Sequence, residues 1–211
     1  MYESEAEIIE LQGLLDRCMS NAGPHLRSIF NRNHWLSARQ VCLCLQGVKQ
    51  VAAATVTSKG EPRVAPIDAV FFHGKFYLST DSKSLRARHL AKRPALSVTY
   101  FEGADPVIIV HGGATFMQKS QQEFLILDSE WVKAYGKSIL ELSGTVGFIR
   151  VDPTTMLAYA FHPERFRETD GQELAISKRR VRVLGSSSHS EVEAVGSPEG
   201  HPSEVGAFRD P

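Results

Sequence analysis

A mainly β (α+β) fold, an antiparallel barrel of about six to seven strands with flanking helices, is predicted by three features of this sequence. From Val48 onward, β-branched and aromatic runs alternate with turn residues, whereas helical periodicity is confined to the front end and two later stretches. The 211 residues suffice for one substantial core. Closure is expected because many short antiparallel strands would otherwise present bare edges.

The elements follow in order. Ser4 with Glu7 has the form of a capping box, and Ile8, Leu11, Leu14 and Leu15 recur at helical spacing up to Gly23. A second box, Ser37 with Gln40, opens a helix carrying Val41, Leu43 and Leu45, with Gly47 as its C-terminal glycine. VKQVAAATVT and RVAPIDAVFF, joined by SKGEP, read as a hairpin. His73-Gly74 then turns the chain into KFYLST, since glycine accepts the positive φ of a tight turn.

SKSLRARHLAKR is a short helix with Ala87, Leu90 and Ala91 on one side, closed by Pro94. ALSVTYF and PVIIVHGGATFM follow as strands, and residues 120–136 place Phe124, Leu127, Trp131 and Tyr135 on one helical stripe. TVGFIRV and TTMLAYAF return to strand pattern, making seven candidates. Residues 1–35 are read as an N-terminal helical segment and 36–184 as the barrel domain. Residues 185–211, rich in Ser, Gly, Pro and Glu, are read as a disordered tail.

Composition narrows the function. Hydrophobic residues at 42% and charged ones at 23% are ordinary globular usage and exclude general disorder. Lys plus Arg equals Asp plus Glu at 24 each, so no global field draws the chain to nucleic acid or to an acidic membrane surface. MYESEAEIIELQ carries acids where a signal peptide has a basic segment, and no stretch approaches a membrane span, so a cytoplasmic protein is expected. Cys18, Cys42 and Cys44 are odd in number and lack CxxC spacing, which points to buried free thiols. The absence of GxGxxG, Walker, GxSxG and HExxH motifs removes support for a Rossmann domain, nucleotide hydrolase, α/β-hydrolase or zincin. The eight histidines include no i, i+4 pair suited to a metal.

The strongest local anomaly is the short helix, where Lys83, Arg86, Arg88, His89, Lys92 and Arg93 occur with no acid among them. A helix N-terminus carries roughly half a positive charge and prefers Asp or Glu nearby. Free N–H groups, the hydroxyls of Thr80, Ser82 and Ser84, and the Arg86 guanidinium converging at one point would form an anion site matched to a phosphate. The alternative is a solvated basic face satisfied by acids from elsewhere. Pro66, unable to donate to a ladder, marks an edge, a bulge or a gap where another group approaches. Gly112-Gly113 marks a bulge, a close backbone approach or a barrel corner. His111 and His162 read as hydrogen-bonded structural histidines.

Taken together, ATVTSKGEPRVAPIDAVFFHGKFYLSTDSKSLRARHLAKRPALSVTYF closely resembles the FMN-binding split β-barrel family that includes pyridoxamine 5′-phosphate oxidase and the deazaflavin-dependent reductases. The likeness spans roughly residues 40 to 165 and rests on the GxPR-like turn, the strand ending in Ser-Thr, the Ser-x-Arg/Lys helix and the spacing to the next strand. The resemblance implies that Arg63, Val64, Ala65, Pro66, Ile67 and Asp68 lie along a flavin ring, and that Ser79, Thr80, Ser84 and Arg86 hold its ribityl phosphate. It further implies a homodimer with a cofactor in each of two interface clefts, with residues near Gly113 and in AYAFHPERF contributing from the partner chain. The cofactor would carry hydride transfer to a small-molecule substrate, with no side chain assigned as acid or base. The alternatives are the deazaflavin coenzyme on the same scaffold, or a non-enzymatic flavin- or haem-binding protein with His111 or His162 on the iron. Two departures stand out. Leu85 replaces the first member of the family's basic pair, and FHPERF matches the substrate-gripping arginine and histidine only loosely, so vitamin B6 oxidation is not implied.

Overall fold

Two capping boxes start the front helices. In the computed structural model, which describes residues 2–29, 31–103 and 105–166, the Ser4 hydroxyl accepts the Glu7 amide while the Glu7 carboxylate accepts the Ser4 amide, opening α1 (Glu5–Ser20). Ser37 and Gln40 open α3 (Ala38–Cys44) in the same way. Between them lies α2 (Pro24–Ile29), which the periodicity does not reveal because none of its six residues is buried. α1 buries Ile8, Leu11, Leu15 and Met19, and the first three join the main core cluster.

Six strands follow among the described residues: β1 (Val48–Val56), β2 (Pro62–Phe72), β3 (Lys75–Asp81), β4 (Ala95–Phe101), β5 (Val107–Phe116) and β6 (Val146–Tyr159). They form a closed barrel in the order β1-β2-β3-β6-β5-β4, antiparallel throughout. Ala52–Ala54 of β1 against Ser97–Thr99 of β4 completes the ring. Period-two alternation sorts the side chains. Phe71, Phe76 and Leu78 join the cluster that also holds α1 and α3, while Phe72 and Tyr77 face a second cluster formed with Phe124, Leu127 and Trp131 of α5 (Gln122–Tyr135).

The seven sequence runs become six strands because TVGFIRV and TTMLAYAF are continuous in β6. Pro153 does not end the strand. The register shifts between His111 and Gly112, which lie opposite Thr155 and Pro153, so Thr154 is the extra residue of a bulge. A Cβ on Gly112 would stand 2.2 Å from the Asp152 carbonyl oxygen, whereas one on Gly113 would meet nothing within 4 Å. The close approach marked by Gly112 is therefore to the protein's own backbone.

At the β2–β3 turn, His73 and Gly74 both take positive φ, 50° and 71°, as the twist of a two-residue hairpin demands. The His73 ring, held in this sparsely populated conformation, is hydrogen-bonded through Nδ1 to the Glu7 carboxylate of α1. Burial pushes the Glu7 carboxyl up, but hydrogen bonds from the Ser4 amide and hydroxyl and from His73 outweigh it and hold the group below its ordinary value. A depressed folded-state value means stability that is present above roughly pH 4.3 and fades as the pH falls through the folded value. Glu7→Gln is accordingly expected to flatten the acid limb of stability between about pH 5 and about pH 3 in urea titrations. An acid limb as steep as that of the unsubstituted protein would show that this link contributes nothing.

Cys42 and Cys44 are buried free thiols, each pushed up to about 12 chiefly by burial. Cys18 is half-buried, and its Sγ accepts the Met156 amide at 3.4 Å. No helix among the described residues is long and apolar enough to cross a membrane. The boundary at 184 and the tail 185–211 lie outside the described residues.

Candidate functional site

The barrel is not evenly paired. β2 pairs with β1 from Pro62 to Val70 but with β3 only from Ala69 to Phe72, which leaves Pro62–Asp68 with one free edge. Arg63, Val64, Ala65 and Pro66 are exposed there, and Ile67 is buried as the strand re-enters the core. Pro66 sits opposite Ala52 in this half-paired stretch, where a residue lacking a donor is tolerated.

Across the gap stands α4 (Leu85–Lys92). The Ser84 hydroxyl oxygen accepts the Ala87 amide at 3.1 Å and lies 3.2 Å from Thr80 Oγ1. The first-turn amides of Leu85 and Arg86 have no acceptor among the described residues. His89 Nδ1 is 3.1 Å from the buried Thr55 hydroxyl of β1, which fixes the helix against the barrel.

Arg86 is half-buried and its Nη2 donates a long hydrogen bond, 3.5 Å, to the Ala65 carbonyl on the free edge of β2. Burial alone lowers its pKa, and no carboxylate pairs with it among the described residues. Lys83, Arg88, Lys92 and Arg93 likewise form no ion pair there. No carboxylate among the described residues forms an ion pair with the basic helix, although Asp81 at its edge acts on Lys83. A partly desolvated guanidinium gains from an arriving anion more than an exposed one would.

The sequence reading missed an acid at the edge of this site. Asp81, the last residue of β3 and four positions before α4, accepts the Lys83 amide at 2.7 Å and the Thr145 hydroxyl at 2.9 Å. These bonds, the Lys83 amide first, hold its carboxyl below the ordinary value. The Ser82 amide goes to the Thr145 carbonyl at 2.9 Å. Thr80 and Ser84 are thus brought together and Arg86 reaches from the same helix to Ala65, while the amides of Lys83 and Ser82 are engaged by the protein itself. Ser79, paired with Phe148, projects from the opposite face of β3 from Thr80, and its hydroxyl does not join that group. Thr80 and Ser82 also line a cleft of about 530 Å³ that continues past Lys119, Gly147 and Phe148, a volume suited to a small-molecule ligand.

A sequence model of the pyridoxamine 5′-phosphate oxidase family matches residues 39–169, more than half of the chain. The chain belongs to this family. Its barrel is similar to that of a conserved hypothetical protein from Mycobacterium tuberculosis, at 14% identity and a TM-score of 0.54, over 69% of this chain and 98% of that one. HutZ, the heme storage protein from Vibrio cholerae, is 14% identical with a TM-score of 0.48, over 57% of this chain and 91% of its own. General Stress Protein 26 from Bacillus anthracis str. Sterne is 18% identical with a TM-score of 0.46, over 57% and 92%. At such identities the likeness is one of fold. No curated protein matches the chain.

In this member of the pyridoxamine 5′-phosphate oxidase family, the two histidines considered for iron are each engaged by a neighbour. His111 Nδ1 is 2.7 Å from Ser97 Oγ, and His162 Nδ1 is 3.1 Å from the Glu164 carboxylate, both on exposed surface. Among the described residues no group of three His, Cys, Asp or Glu side chains is placed to hold a metal ion.

Proposed function

We propose that this chain is an FMN-binding oxidoreductase that works as a homodimer on a small-molecule substrate. The observation that carries the reading is Arg86, a half-buried guanidinium without a carboxylate among the described residues, on the first turn of a helix whose Leu85 and Arg86 amides are free and whose capping Ser84 meets the Thr80 hydroxyl. That set fits the phosphate of a flavin mononucleotide. The free backbone edge of Arg63–Ile67 then offers donors and acceptors to the polar rim of the ring. Val64, 70% exposed, and Leu85, 52% exposed, supply apolar surface beside it. Because this stretch is open to solvent, a second copy of the chain would be needed to enclose a ring lying on it, which supports the dimer.

Bound FMN would supply the hydride chemistry; the protein anchors, orients and excludes water. Added FMN is expected to remain with the purified chain through gel filtration, with visible absorbance eluting at the dimer position. Retention of the deazaflavin coenzyme with rejection of FMN would transfer the reading to reductases using that cofactor. A Soret band on haem addition, without flavin binding, would overturn it.

A further inference from the structure

A second cleft, of about 480 Å³, opens at the other end of β3, between α1, the β2–β3 turn, β6 and the start of α5. Tyr77 forms part of its wall. The residue is only 1% exposed, its ring packs edge-on to Phe72 in the cluster under α5, and its hydroxyl makes no hydrogen bond among the described residues. A phenylalanine would fill this apolar cluster equally well. Among the described residues only His34 Nδ1 and Trp131 Nε1 are enclosed without a partner, so the Tyr77 hydroxyl opens into the cleft, where water or a ligand is its partner.

The charges around that hydroxyl indicate which partner. Glu7 is engaged by His73, and Asp152 by Arg150 and Lys75. Glu10 and Glu123 line the same cleft with no ion pair among the described residues. Arg17 faces them from α1, so four carboxylates (Glu7, Glu10, Glu123, Asp152) stand against three permanent cations, with Lys75 and Arg150 already paired. Of the charges lining the cleft, Glu123 acts most strongly on the Tyr77 oxygen, ahead of Arg150, Asp152 and Glu7. Burial and Glu123 push the phenol up to about 12, which keeps it protonated at neutral pH.

We propose that this cleft binds a small organic cation, a protonated amine that donates to the Tyr77 hydroxyl oxygen and to the Glu123 carboxylate. The site shares no residue with the cofactor site, and its assignment is independent of the FMN reading. Calorimetric titration of the full chain with putrescine tests it. Saturable binding is expected, weakened about 10-fold by Tyr77→Phe and by Glu123→Gln, as loss of one charge-assisted hydrogen bond implies. Tyr77→Phe should unfold at an unchanged or higher urea concentration, which separates lost binding from lost structure. Acetate at the same concentrations should give no binding heat. No saturation by about 10 mM putrescine, undiminished affinity in both variants, or binding of acetate in place of the amine would overturn the proposal.

Discussion

Arg86→Glu is expected to lower FMN affinity at least ~100-fold while leaving the chain as stable as before, or more so. The two halves of this result have one cause. Arg86 is partly desolvated, with no carboxylate to compensate it among the described residues. In the free protein the change replaces an uncompensated cation by an anion in the first turn of α4, where the helix N-terminus favours negative charge. Toward a phosphate, the same change deletes hydrogen bonds to a charged group, each worth about 1.5–3 kcal/mol, and adds repulsion between like charges. Arg86→Lys keeps the charge but not the planar fork, and should fall between the two. Fluorescence titration with FMN and urea unfolding of the apo variants measure both halves. Wild-type affinity in Arg86→Glu would remove the phosphate site from the account; a loss of stability proportional to the loss of affinity would make Arg86 structural.

What the sequence disclosed is what depends on neighbours along the chain. The capping boxes at Ser4 and Ser37, the His73-Gly74 hairpin and the stripe of Phe124, Leu127 and Trp131 are each settled within a few residues, and each is present. The basic helix was legible for the same reason, since its imbalance of charge is local. The features that escaped depend on pairings between distant segments. The free edge of β2 follows from where β3 leaves it, after only four paired positions. Asp81 was overlooked because its carboxylate is oriented by Thr145, 64 positions away. The opposite facing of Ser79 and Thr80 follows from the register of β3 on β6, which composition does not carry. The continuity of β6 through Pro153 likewise depends on what lies across from it on β5.

That last dependence gives the second large effect. Gly112→Ala is expected to destabilise the barrel by about 1–3 kcal/mol or more, seen as a lower urea midpoint with little change in slope. The added methyl would lie 2.2 Å from the Asp152 carbonyl oxygen and 2.9 Å from its carbon, both backbone atoms that no side-chain rotation can move aside. Relief requires the β5 and β6 backbones to separate at the bulge, and these strands are paired from Val107 to Phe116 in the closed ring. The gain from a stiffer unfolded chain, about 0.4–1 kcal/mol, is too small to offset this. Gly113→Ala is the internal control: its Cβ would meet nothing within 4 Å and its φ is not in the left-handed region, so it should be neutral or slightly stabilising. Equal midpoints for the two variants would mean that the β5–β6 approach at Gly112 is not what holds the bulge, and that Pro153 is accommodated by some other means.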